Sequence, residues 1–74
     1  VAILTFNNPP GTQSFGSVRC PAVGQTVTGG GVFGSAGLQQ SVNSSFPLGD
    51  NGWGAYMNNT SGSTASFQVY AVCT

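Results

Sequence analysis

From Thr64 to Cys73 the chain alternates without a break: Ala65, Phe67, Val69, Ala71 and Cys73 fall on one side, Ser66, Gln68, Tyr70 and Val72 on the other. A period of two sustained over this length is that of a β-strand with one face buried. Because the run ends with a cysteine on its apolar face, Cys20 is expected to point inward too, together with Val18. Paired, Cys20 and Cys73 close a loop over most of the 74 residues. Loop-closure entropy values such a link at roughly 4 kcal/mol, comparable to the whole stability of so short a domain. Two free buried thiols are the alternative. An even count, no CxxC spacing and no His favour the disulfide, and with it an oxidising, extracellular or cell-surface setting.

The rest of the chain reads as short strands cut by turns. Twelve glycines, with Ser, Thr and Asn abundant, disfavour helix. Hydrophobic residues at 39% and eight aromatics still provide a core, so the chain is not of disordered type. A second strand is expected over Gln13–Cys20, with Val18 and Cys20 on one face and Phe15, Ser17 and Arg19 on the other. A short third strand covers Gln25–Thr28. Gly29-Gly30-Gly31 then permits a bulge, a positive-φ turn or close approach of another backbone. Val32 and Phe33 resume the apolar content before a corner over Gly34–Gly37. Leu38–Ser45 alternates as a strand, and Phe46-Pro47-Leu48-Gly49-Asp50-Asn51-Gly52 is strongly turn-coded. Within 53–58, Trp53, Ala55 and Met57 alternate against Gly54, Tyr56 and Asn58. The fold class expected is all-β: a small antiparallel sandwich or barrel of five to seven short strands closed by one disulfide.

Two domains of behaviour are expected. Residues 1–11 form an apolar strand and a Pro/Gly linker; residues 12–74 form the disulfide-closed β domain. Val1, Ala2, Ile3, Leu4, Thr5 and Phe6 are apolar except Thr5, the pattern of a strand covered on both faces. An uncharged, Pro-free, β-prone hexapeptide is an aggregation hazard when exposed, so it is expected to be buried on its own sheet or in a neighbouring copy by strand addition. Asn7-Asn8-Pro9-Pro10-Gly11 makes exchange with a neighbour sterically reasonable. Val1, in place of an initiating Met, reads as a processed terminus or a boundary.

Charge excludes much of chemistry. The chain has one Lys or Arg (Arg19), one Asp or Glu (Asp50) and no His. General acid–base catalysis needs a titratable group near its working pH, and glycoside hydrolysis needs two carboxylates. Nine serines without a basic partner are hydroxyls, not nucleophiles. No enzyme, metal or cofactor is therefore expected. One arginine cannot neutralise phosphates, so nucleic acid is not a partner, and no apolar run reaches membrane-spanning length. Asp50 reads as a turn residue and Arg19 as an exposed strand charge, with an ion pair between them left open.

Cys20-Pro21-Ala22-Val23-Gly24-Gln25-Thr26-Val27-Thr28-Gly29-Gly30-Gly31, then Gly52-Trp53, Asn58-Asn59-Thr60 and Tyr70-Ala71-Val72-Cys73, resemble a module of secreted actinobacterial and related bacterial proteins. Its pattern is a CPxG-x-V-x-GGG opening, a central GW and a YAxC ending, and it covers residues 14–74. Val23 departs from the polar or Ala-Gly sequence more usual there. The resemblance implies a surface or stalk context, beside collagen-like or fibre-like repeats, and no defined activity.

Three further motifs bear on function. The glycine run lacks the Lys and the helix of a phosphate loop. Asn43-Ser44-Ser45, Asn58-Asn59-Thr60 and Asn59-Thr60-Ser61 match the N-glycosylation sequon, at a frequency near chance for this composition. Trp53, Tyr56, Tyr70 and Phe46, with Asn51, Asn58, Asn59 and Gln68 as a polar edge, form a candidate carbohydrate-stacking face; core packing of Trp53 and a hydrogen-bonded sheet edge for the tyrosines are the opposing reading. The function expected is a non-enzymatic extracellular structural module that associates with copies of itself, as a surface fibre, filament or adhesive component. A lectin-like module binding glycans is the alternative.

Overall fold

A computed structural model describes residues 1–35 and 38–74. Among the described residues there are six strands: β1 (Ala2–Asn8), β2 (Thr12–Arg19), β3 (Val27–Gly34), β4 (Gln40–Leu48), β5 (Gly52–Asn59) and β6 (Ala65–Cys73). They form two three-stranded antiparallel sheets, sheet A in the order β1-β6-β3 and sheet B in the order β2-β5-β4. The result is a narrow β-sandwich, 42 × 16 × 14 Å. Only β4 and β5 are joined as a hairpin within one sheet; every other connection passes from one layer to the other.

The alternation of β6 is realised in its burial. Phe67, Val69 and Ala71 are buried against Val18, Ala55 and Met57 of sheet B, with Phe6, Val27, Val32 and Trp53 packed around them. Burial of one strand face on each layer is the driving term, at about 25 cal/mol per Å² of apolar surface removed from water. A layer pair this thin has room for rings only where the opposite strand lacks a side chain. Gly16 of β2 is such a position: a Cβ there would lie 2.6 Å from Phe6 Cδ2 and 2.9 Å from Phe67 Cε2. Those two rings sit on paired strands, their centroids 5.5 Å apart. Gly30 of β3 does the same for the indole of Trp53.

Several expectations change here. β3 begins at Val27 and takes in the whole glycine run, with a register shift between Val27 and Gly29, so of the options left open the bulge is realised and the turn is not. At Gly30 and Gly31 the missing side chain makes room for Trp53 and Tyr70, and none of the three has positive φ. Phe46-Pro47-Leu48 belongs to β4, and the turn is confined to Gly49–Asn51, where Gly49 has φ 61°. The corner expected over Gly34–Gly37 is only partly covered: Gly34 ends β3, and residues 36 and 37 lie outside the described residues.

The two ends of the sandwich are closed differently. Cys20, just past β2, is bonded to Cys73 at the end of β6, with Cα atoms 6.0 Å apart, so the disulfide staples sheet B to sheet A. Around it, Cys20 N donates to Asn51 O, Val27 N to Asp50 O and Gln25 Nε2 to Thr74 O. Arg19 donates through Nη1 to Asn51 Oδ1 at 2.8 Å rather than reaching a carboxylate. The opposite end is closed by amides. Asn59, 2% exposed, donates through Nδ2 to Asn8 O and Ser63 O and accepts at Oδ1 from Ser61 N and Oγ. Asn8, fully buried, donates through Nδ2 to Gln40 Oε1. Buried polar groups are stabilised by bonds of this kind, and Asn59 is fully satisfied while Asn8 Oδ1 has no partner among the described residues.

Candidate functional site

Of the residues expected to form a carbohydrate-stacking face, Phe46, Tyr56 and Asn58 share the outer face of sheet B, whereas Trp53 and Tyr70 lie elsewhere. Trp53 points between the layers, its indole laid on Gly30 and its Nε1 donating to Ser45 Oγ at 2.8 Å. Tyr70 lies on the outer face of sheet A, its ring over Gly31. Tyr56 and Asn58 lie on the outer face of sheet B. The alternation along β5 already separates Trp53 from Tyr56 and Asn58, and it is this period that the structure follows.

What sheet B does assemble on its outer face is a different aromatic group. The β2–β5 register sets Phe15 opposite Tyr56 and Ser17 opposite Gly54; the β4–β5 register sets Phe46 beside Gly54 and Leu48 beside Gly52. Phe15 and Tyr56 have ring centroids 4.9 Å apart, and Phe46 stands 6.4 Å from Phe15 and 6.1 Å from Tyr56. Such separations fall in the range of favourable aromatic pairs. Gly54 lets Phe15 and Leu48 settle over the strand, since a Cβ there would lie 2.9 Å from Leu48 Cδ1 and 3.2 Å from Phe15 Cε1. Phe15 and Tyr56 remain substantially exposed, at 45% and 38%. Phe15 was absent from the expected set because its neighbour across the sheet cannot be read from a single strand.

One row further along the same face, Gln13 stands opposite Asn58, and Gln13 Nε2 donates to Asn58 Oδ1 at 2.9 Å. This amide pair borders an open cleft of about 470 Å³ lined by Gly11, Thr12, Gln13, Ser41, Asn58 and Thr60. No ionisable side chain lines it. A second, smaller recess of about 160 Å³ lies by the buried amides, between Gln40, Asn59, Ser61 and Ser63.

The residues expected as an assembly strand form β1, which pairs with β6 from Ala2↔Ala71 to Asn8↔Ala65. Ala2 and Phe6 pack on the core. Within the chain β1 is covered on one face only, and Val1, Ile3 and Leu4 are 79%, 54% and 51% exposed, so the route of burial on its own sheet is incomplete. β1 is an edge strand, so among the described residues one side of its backbone has no strand partner, and Ile3 is half exposed. The four free edges are not alike. β2 carries Arg19, and β4 carries Pro47 and a register shift between Val42 and Ser44. β1 has no charge, proline or bulge; β3 has no charge or proline, and its one irregularity lies at its start, between Val27 and Gly29. Both edges of sheet A are therefore open along most of their length, and both edges of sheet B are guarded by devices that oppose strand addition.

Among the described residues there is no group of three or more His, Cys, Asp or Glu and no helix long and apolar enough to cross a membrane. Neither family models, curated proteins nor solved structures match the chain.

Proposed function

We propose that this chain is a non-enzymatic extracellular structural module that associates with copies of itself, extending sheet A from one copy to the next into a fibre or surface multimer. The observation that carries the reading is the asymmetry of the edges. β1 and β3 are the two outer strands of one sheet, and neither bears a charge or a proline. Pairing β1 of one copy with β3 of the next is a heterologous contact, and a contact of this kind repeats without closing unless the rotation returns to its start. With 3% of its residues charged, the chain offers almost no repulsion between copies and no ions to desolvate. Exchange of β1 across the Pro9-Pro10-Gly11 corner would satisfy the same pairing with β6 of a neighbour. The disulfide fits an oxidising compartment outside the cytoplasm.

Deleting residues 1–6 is a poor test, because it removes Phe6 from Phe67 and bares the central strand β6. Leu4→Lys is cleaner. Leu4 faces the layer gap at the rim and is half exposed, so a lysine there reproduces the inward-pointing edge charge that blocks strand addition while leaving Phe6 in place. Size-exclusion chromatography and electron microscopy of the parent should show oligomers or filaments, and of Leu4→Lys a monomer. A parent that stays monomeric at high concentration, or a Leu4→Lys variant that assembles equally well, refutes the reading.

A further inference from the structure

We infer that the outer face of sheet B is a binding site for a neutral oligosaccharide, with Phe15, Tyr56 and Phe46 as the stacking platform and the Gln13–Asn58 pair as the hydroxyl-reading edge. The assignment does not depend on self-association, since a monomer presents the same face.

Two chemistries meet on this face in adjacent rows. A pyranose ring has an apolar side made of axial C–H groups, and such hydrogens are attracted to the negative faces of aromatic rings. Phe15 and Tyr56 are opposed across β2 and β5 and half exposed, with Phe46 completing the cluster. The rim of the same ring carries hydroxyls that each donate and accept. In the Gln13–Asn58 pair, Gln13 spends a donor and Asn58 an acceptor on one another. What remains outward is an acceptor, Gln13 Oε1, and a donor, Asn58 Nδ2. An acceptor beside a donor is the complement of two vicinal hydroxyls. The row spacing of a sheet, roughly 7 Å for every second residue, puts this pair one step from the Phe15–Tyr56 pair, so a ring on the aromatics brings the next sugar over the amides. The adjoining cleft of about 470 Å³ is lined by hydroxyls, amides and backbone, again without charge.

Neutrality is the selective feature. Arg19 shares the face but lies six residues along β2 from Gln13, roughly 20 Å away and beyond the screening length of about 8 Å in physiological salt. An acidic sugar gains nothing at the amide row. A peptide strand is disfavoured because the edges of this sheet carry Arg19 and Pro47. Trp53, which lies in the layer gap, makes no contact with the ligand.

The test is a titration of the ¹⁵N-labelled full chain with cellohexaose and chitohexaose as neutral probes and oligogalacturonate as the acidic one, followed by amide chemical shifts. Saturable shifts centred on Gln13, Phe15, Tyr56 and Asn58 with at least one neutral probe, and weaker ones with the acidic probe, are expected. Tyr56→Ala should weaken binding by about tenfold, the scale of losing one stacked ring. Asn58→Ala, at a partly exposed position outside the core, should weaken it while leaving the spectrum dispersed. The inference is overturned by no saturable shift with either neutral probe, by shifts centred on Ile3, Phe33 and Tyr70, or by preference for the acidic probe. Shifts of the same residues on concentrating the protein alone also overturn it, since they mark the face as a contact between copies.

Discussion

Replacing Gly16 by alanine should destabilise the sandwich, and replacing Gly29 by alanine should not. At Gly16 the added Cβ falls 2.6 and 2.8 Å from two carbons of Phe6 and 2.9 Å from one of Phe67, and both rings are held between the layers. Phe67 is 1% exposed, so its ring has nowhere to go without moving β6 or β2. Overpacking of this kind costs about 1–3 kcal/mol. Against it stands a gain of about 0.4–1 kcal/mol from the stiffer unfolded chain. The net loss is about 1–2 kcal/mol, which in a domain this small lowers Tm by roughly 5–15 °C. At Gly29 nothing lies within 4 Å of the added Cβ and φ is not positive, so only the unfolded-state gain remains and Tm should rise by a few degrees. Calorimetry or thermal circular dichroism on the two single variants measures both signs. If Gly16→Ala melts at or above the parent, or if the two variants move together, the account of glycine as a seat for rings is wrong.

Other outcomes follow from the two ends and from the sparse charge. Reducing Cys20–Cys73, checked by mass, should remove roughly 4 kcal/mol of stability and leave the chain largely unfolded at 37 °C; an unchanged Tm contradicts a load placed on that staple. Asn59→Ala removes a buried amide with four bonds and should lower the unfolding free energy in urea by about 2–4 kcal/mol, whereas a loss well under 1 kcal/mol would show the amide end to be dispensable. Assembly should be indifferent to ionic strength between about 0.05 and 0.5 M NaCl, because the edges that meet carry no ions; steep salt dependence argues against β1–β3 pairing.

The fold class was legible in the sequence because period-two alternation survives in β2, β5 and β6, and because the cysteine ending β6 tied one layer to the other. The inward set of β2 and the buried face of β6 follow directly from that alternation. What a linear reading cannot supply is the partner of each strand. Gly29-Gly30-Gly31 leaves bulge, turn and close approach open until Trp53 is known to lie opposite Gly30, and Pro47 looks like a turn residue until β4 is known to be an edge, where a missing N–H costs nothing in the ladder. The aromatic face was legible only in part, with Phe46 and Tyr56 on one face, for the same reason. Tyr56 and Asn58 were found, Trp53 was grouped with them against its own alternation, and Phe15 came to them only through the β2–β5 register. The composition of β1 asks for cover on both sides, but an outer strand of a three-stranded layer has only one neighbour within the chain.

Val1 and Thr74 leave the sandwich at the same end, since Ala2 stands opposite Ala71 in the β1–β6 pair and Cys73 is held to Cys20. Tension applied between the two termini therefore peels β1 from β6 one hydrogen bond at a time, then reaches β2 and stops at the sulfur bridge. Only residues 1–19 can pay out, roughly 60 Å of slack at about 3.3 Å per residue, while the remaining stretch carries no load. Under traction the module behaves as a short tether with a hard limit, lengthening by a set amount and then holding.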